Sequence, residues 1–99
     1  MRSKKITNSS RGKPCTLNIV GVCNHNDETT VFCHLPDESH GMALKSIDIS
    51  GCDACSSCHD VLDGRVPCPE FQANKDFYMR RAQTRTLSRM FDEGVLKVA

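Results

Sequence analysis

Cys52, Cys55, Cys58 and His59 fall within eight consecutive residues, a density of metal-ligating side chains that ordinary core packing does not call for. Cys55-Ser56-Ser57-Cys58 has the two-residue spacing of a zinc half-site, in which backbone amides of the intervening turn point at the sulfurs and stabilise thiolate charge. The other half is expected from a distant turn, because a zinc that joins remote segments constrains more of the chain. Cys15 and Cys23 are the favoured pair, since they bracket an apolar stretch whose Gly21 lets the chain bend back. Cys33, Cys52 and Cys68 compete. Cys52 would make a strained three-thiol loop, and Cys68 lies between Pro67 and Pro69, beyond a helix stop.

His59 calls for its own chemistry. If Cys58 opens a short helix, His59 and Asp63 are four residues apart and project from one face, where an imidazole nitrogen and a carboxylate oxygen can reach one ion. The bland alternative sets His59 on a backbone carbonyl and pairs Asp63 with Arg65 in solvent. A further histidine, His34, ends a β segment expected beside that helix, which favours the second metal site. His25, in a polar turn, and His40, beside Gly41, are weak candidates for any catalytic part.

Composition fits a metal-stabilised domain. In 99 residues only 38% are hydrophobic even with all seven cysteines counted, there is no tryptophan, and the aromatics are four Phe and one Tyr. So thin a core gains from a structural metal. The odd cysteine count, and the absence of an apolar stretch in residues 1–13, lead us to expect reduced thiols, a cytoplasmic protein and no membrane association.

Net charge of +1 hides a segregation. Arg2, Lys4, Lys5, Arg11 and Lys13 make residues 1–13 wholly basic. Residues 14–74 hold nine acids against Lys45 and Arg65, and residues 75–99 are basic again. Basic segments neutralise phosphates while clustered carboxylates hold divalent cations, a pattern suited to metal-dependent work on a polyanion.

These residues need a scaffold. Residues 1–14 read as a flexible basic arm, and 15–99 as one domain. Within it, Cys15–Val20 and Thr29–His34 read as the two strands of a hairpin spanning residues 15–35, joined through Gly21 and Asn24-His25-Asn26-Asp27. Residues 36–51 read as a loop with one helical turn near Ala43–Ile47. Ser56 or Ser57 is expected to cap a short helix to about Asp63, within a second knuckle over 52–65, stopped by Gly64 and Pro67. An amphipathic helix is expected over 70–92, with Met79, Ala82, Leu87, Met90 and Phe91 near helical spacing and Gly94 as its C-cap. Arg81, Arg85 and Arg89 recur every four residues on another face and, with Arg65, are candidates to hold a nucleic-acid backbone, the alternative being a solvated stripe.

The ordered stretches Arg11-Gly12-Lys13-Pro14-Cys15, Gly21-Val22-Cys23-Asn24, Glu28-Thr29-Thr30-Val31, Cys33-His34-Leu35, Gly41-Met42-Ala43-Leu44-Lys45 with Asp48, and Ala54-Cys55 through Gly64-Arg65 resemble the HNH, or ββα-metal, nucleases on a treble-clef zinc scaffold. More closely, the chain resembles the small nucleases of lambdoid phages and prophages, the YbcO family, relatives of the RecA-dependent nuclease Ref. The resemblance runs from Arg11 through nearly the whole domain, more loosely at Arg85 and Gly94-Val95-Leu96-Lys97. It implies an α+β fold, a small zinc-stabilised HNH-like domain with a C-terminal amphipathic helix. It implies a DNA endonuclease with structural zinc and a catalytic magnesium or manganese, acting in recombination or DNA processing, with DNA and a recombinase filament as partners. His34 takes the general base's place, His59 and Asp63 hold the catalytic ion, and Asp48, on the loop where the family usually has asparagine, orients the base. Cys33 stands where many members carry an aspartate or histidine ligand. That departure favours the alternative, a zinc-stabilised nucleic-acid-binding or recombination accessory protein with a vestigial nuclease site.

Overall fold

The computed structural model describes residues 3–35 and 50–97. The helical turn expected near Ala43–Ile47, together with His40 and Asp48, lies outside them. Helix α1 spans Lys4–Ser9, strand β1 Val31–His34, strand β2 Gly51–Ala54, helix α2 Ser56–Leu62, helix α3 Pro69–Ala73 and helix α4 Lys75–Asp92, with a single 3-10 turn at Asp27–Thr29. No helix among the described residues is long and apolar enough to cross a membrane.

The N-terminal segment departs from the flexible arm expected of it. Ser3 caps α1 by accepting a hydrogen bond from the Ile6 amide at 3.3 Å, and Ile6 is buried. One apolar side chain, together with a fully buried Ser10, is enough to dock a short polar helix on the domain.

The strand pairing also departs from expectation. Cys15–Val20 forms no strand. β1 pairs instead with β2 in antiparallel register, Val31 opposite Ala54, Phe32 opposite Asp53, Cys33 opposite Cys52 and His34 opposite Gly51. Leu17 and Ile19 are buried at alternate positions, which imitates a strand in the sequence, but between them Asn18 takes φ 46° and donates from Nδ2 to the Cys15 carbonyl at 2.6 Å. Asparagine tolerates that left-handed backbone better than most residues, so the chain turns where it was expected to extend. The amides of Val22 and Cys23 both donate to the Ile19 carbonyl, completing the bend through Gly21 at φ 76°.

Helix α2 follows β2 directly. Its N-cap is Cys55, not Ser56 or Ser57: the Cys55 sulfur accepts from the Cys58 amide at 3.4 Å. Gly64, at φ 81°, ends the turn beyond it. The helix expected over 70–92 is broken into α3 and α4 at Asn74, whose Nδ2 donates to the Glu70 carbonyl at 3.0 Å and to Glu70 Oε2 at 3.2 Å. An asparagine amide that competes for a backbone carbonyl favours such a break.

Helix α4 lies on β2 and buries Tyr78, Ala82, Thr86 and Met90, a row spaced by four. Thr86 is polar yet fully buried because both its neighbours are partners: it accepts from the Asp53 amide at 3.0 Å and shares a hydrogen bond with Thr16 Oγ1 at 3.1 Å. Of the apolar positions read from the sequence, Phe91 turns outward and is about half exposed. The core gathers Leu17, Ile19, Leu35, Val61, Phe71 and Tyr78 beside the cysteines.

Candidate functional site

The bend at Asn18 and Gly21 brings Cys15 and Cys23 to the start of α2, where Cys55 and Cys58 wait. The four sulfurs all lie within 4.8 Å of one another, with Cys55 and Cys23 at 3.9 Å. A tetrahedral ion with bonds near 2.3 Å sets its sulfurs about 3.8 Å apart, so these four thiols can bind a metal such as zinc. The Asn18 amide points at the Cys15 sulfur at 3.5 Å and the Cys58 amide at the Cys55 sulfur, dipoles of the sign that stabilises thiolate. His25 Nδ1 lies 3.8 Å from the Cys23 sulfur, a neighbour of the cluster that its place in a polar turn did not announce.

Charge at the cluster is already uneven. The Cys58 thiol, hydrogen-bonded to Cys15, holds Cys15 down at about 5 against an ordinary 9.0, and the same contact pushes Cys58 well up. Burial pushes Cys23 up to about 11. A cation displaces such protons, because metals bind the thiolate form. The remaining thiols stand apart from this group. Cys33 and Cys52 are buried opposite each other on β1 and β2, both pushed above the ordinary thiol value by burial, and Cys68 precedes α3.

His59 is the residue after Cys58 on α2. Its Nε2 lies 2.9 Å from Asp63 Oδ2, and Arg65 reaches Asp63 at 3.3 Å and Asp60 at 3.1 Å. Asp63 thus faces His59, as the shared helix face expects, and Arg65, as the alternative expects. His34 ends β1, its ring edge-on to Phe32 with centroids 5.2 Å apart. Among the described residues, the four cysteines are the one group of three or more His, Cys, Asp or Glu whose ligand atoms come within 4.8 Å of one another, so His34 does not join His59 and Asp63 at that range.

The arginines divide. Arg89 points inward, its Nε 2.7 Å from Asp53 Oδ2 and its Nη2 2.9 Å from Oδ1, and it also holds Glu93 at 2.8 Å. Arg81 donates from Nη2 to the Leu17 carbonyl at 2.9 Å. Arg85 is exposed, and Arg65, though paired, is largely so. Arg80 and Phe77 are exposed as well, and the apolar spacing of α4 passed over both.

Residues 4–95 match the family model described as "Putative nuclease YbcO". Two proteins bearing that description, from Escherichia coli K12 and from Enterobacteria phage 82, are each 33% identical to this chain over 93 residues, covering 93% of this chain and 96% of theirs. A solved structure titled "Structure of a putative bacteriophage protein from Escherichia coli str. K-12 substr. MG1655" superposes with a TM-score of 0.69 at 31% identity, covering 89% of this chain and 98% of that one.

Proposed function

Because this chain belongs to the YbcO family of nucleases, we propose that it is a metal-dependent DNA endonuclease of the HNH type on a treble-clef zinc scaffold, acting in phage recombination or DNA processing. The observation that carries this reading is the order β1, β2, α2: a histidine ends the first strand, and the helix entered directly from the second presents His59 beside Asp63, one residue past a cysteine of the metal cluster. Zinc held by Cys15, Cys23, Cys55 and Cys58 would lock the bend of residues 15–23 to the start of that helix and so fix where His59 points.

In this reading His34 takes a proton from the attacking water, the general-base task an imidazole commonly performs. Asp48, outside the described residues, would orient His34, and His59 with Asp63 would hold magnesium or manganese. Such an ion would supply positive charge where the leaving 3′ oxygen becomes anionic. Arg65 and Arg85 contact phosphates without reading bases, and Arg81 and Arg89 stabilise the scaffold.

A second reading, an accessory nucleic-acid-binding protein with a vestigial site, draws on Cys33, which is buried opposite Cys52 where an HNH enzyme commonly has a ligand. One experiment separates them. Zinc-loaded wild type and His34→Ala are incubated with supercoiled plasmid and magnesium or manganese. The endonuclease reading expects nicking by wild type and a loss of about a hundredfold or more in the variant. DNA retention with no cleavage by wild type favours the accessory protein, and equal nicking by both removes His34 from the mechanism.

A further inference from the structure

Helix α4 turns a second chemistry to solvent. Phe77 is 59% exposed, yet its ring is held on two sides. Tyr78 meets it edge-on with centroids 5.7 Å apart, and the Arg81 guanidinium lies over it at 5.0 Å. Both supports are themselves pinned. Tyr78 donates to Glu70 Oε2 at 2.7 Å and accepts from the Val20 amide at 3.3 Å, while Arg81 is tied to the Leu17 carbonyl. An exposed phenylalanine in a fixed pose presents a rigid π-face at little cost in side-chain entropy. The ring also borders a cleft of about 450 Å³ at the junction of α3 and α4, lined by Gln72, Asn74, Lys75 and Asp76 among others.

The surroundings are cationic. Arg80 and Arg85 lie on opposite flanks of Phe77, about 60° and about 80° round α4 from it, both are exposed, and neither has a carboxylate partner among the described residues. From Phe77 to Phe91 the helix carries no acidic residue at all. Arg80 and Arg85 together flank about 12 Å of helix beyond Phe77.

From this we infer that the outward face of α4 is a single-strand DNA platform, with an unstacked base lying on Phe77 and the flanking phosphates on Arg80 and Arg85. The inference rests on the nuclease reading above and names the form of its substrate. A duplex keeps its bases stacked inside and offers Phe77 nothing to stack on, so phosphate contacts alone would leave the fixed ring without use. An apolar protein partner would meet a desolvated row of arginines, whereas a single strand satisfies ring and charges together.

The test is fluorescence anisotropy with zinc-loaded protein, without added magnesium or manganese, on a labelled oligothymidine of about 20 nucleotides and on a duplex of similar length. Wild type binds the single strand about tenfold or more tighter than the duplex. Phe77→Ala loses about tenfold on the single strand and little on the duplex, and Phe77→Trp restores binding. The double variant Arg80→Ala, Arg85→Ala weakens both and flattens the salt dependence of single-strand binding by about one to two phosphate contacts. Unchanged zinc content and melting temperature in Phe77→Ala separate lost stacking from lost fold. Equal or tighter duplex binding, unchanged single-strand binding by Phe77→Ala, or no binding of oligothymidine overturns the platform. His34-dependent nicking that survives such a result leaves the nuclease standing without it. Phe77-dependent binding without any nicking leaves the platform and removes the nuclease.

Discussion

Arg89 on α4 grips Asp53 on β2 through two parallel hydrogen bonds, Nε to Oδ2 at 2.7 Å and Nη2 to Oδ1 at 2.9 Å, and the carboxylate is fully buried. Burial works against the charge of Arg89, but the carboxylates of Asp53 and Glu93 hold it above its ordinary value. The same guanidinium reaches Ser9 and Ser10 at the end of α1, so one side chain joins α4, β2 and the N-terminal segment. Arg89→Ala is expected to cost about 3–5 kcal/mol in chemical denaturation, because it strands a buried carboxylate. The double variant Arg89→Met, Asp53→Leu should recover much of that loss, and a double as unstable as the single would show that the pair does more than neutralise itself.

Glu93 is the solvent-side end of this network. Burial would raise its pKa, but the hydrogen bonds from Lys13 and Arg89 outweigh it and hold the carboxyl below its ordinary 4.5. A depressed acid stabilises the fold above its unfolded pKa and loses that contribution as pH falls through the folded value. Melting temperatures of wild type and Glu93→Gln are therefore expected to differ most near neutrality and to converge as the pH drops below 4.5.

Removing one thiol of the metal cluster should empty it. Cys55→Ser is expected to lose stoichiometric zinc by elemental analysis and to unfold near room temperature, since metal binding and folding are one equilibrium in a domain with so thin a core. Cys68→Ser keeps its zinc, because that thiol lies apart from the four. A folded, zinc-replete Cys55→Ser would overturn the ligand set.

Gly51 faces His34 across the sheet, and a Cβ there would sit 2.8 Å from the Cys33 carbonyl oxygen and clash with the edge of the Phe32 ring. Gly51→Ala is expected to destabilise by about 1–3 kcal/mol and to displace the end of β1. In the plasmid assay its nicking should fall even where the variant is fully folded.

Asp63→Asn leaves α2 intact but weakens a ligand. The concentration of manganese giving half-maximal nicking is expected to rise about tenfold or more, with zinc content unchanged. An unchanged metal dependence would place the catalytic ion elsewhere.

Local chemistry was legible in the chain. Cys55-x2-Cys58 marks a half-site wherever it folds, the spacing of His59 and Asp63 defines a shared helix face, and α4 announces itself by period. Cys15 and Cys23 were legible too as the favoured other half, but strand pairing and the direction of each side chain on α4 needed tertiary structure. Leu17 and Ile19 alternate as a strand does, and only the requirement that Cys15 and Cys23 return to one cluster makes the chain turn at Asn18, leaving β1 to pair with β2. The arginine spacing of α4 identified a row but not its direction. Arg89 points inward because Asp53 waits 36 residues away in sequence, while Phe77, which hydrophobicity would send to the core, is held in solvent by Tyr78 and Arg81. Residue types and their periods act within a few turns of the chain. The pairing of a buried charge, or the face a helix shows to solvent, depends on what folding brings against it.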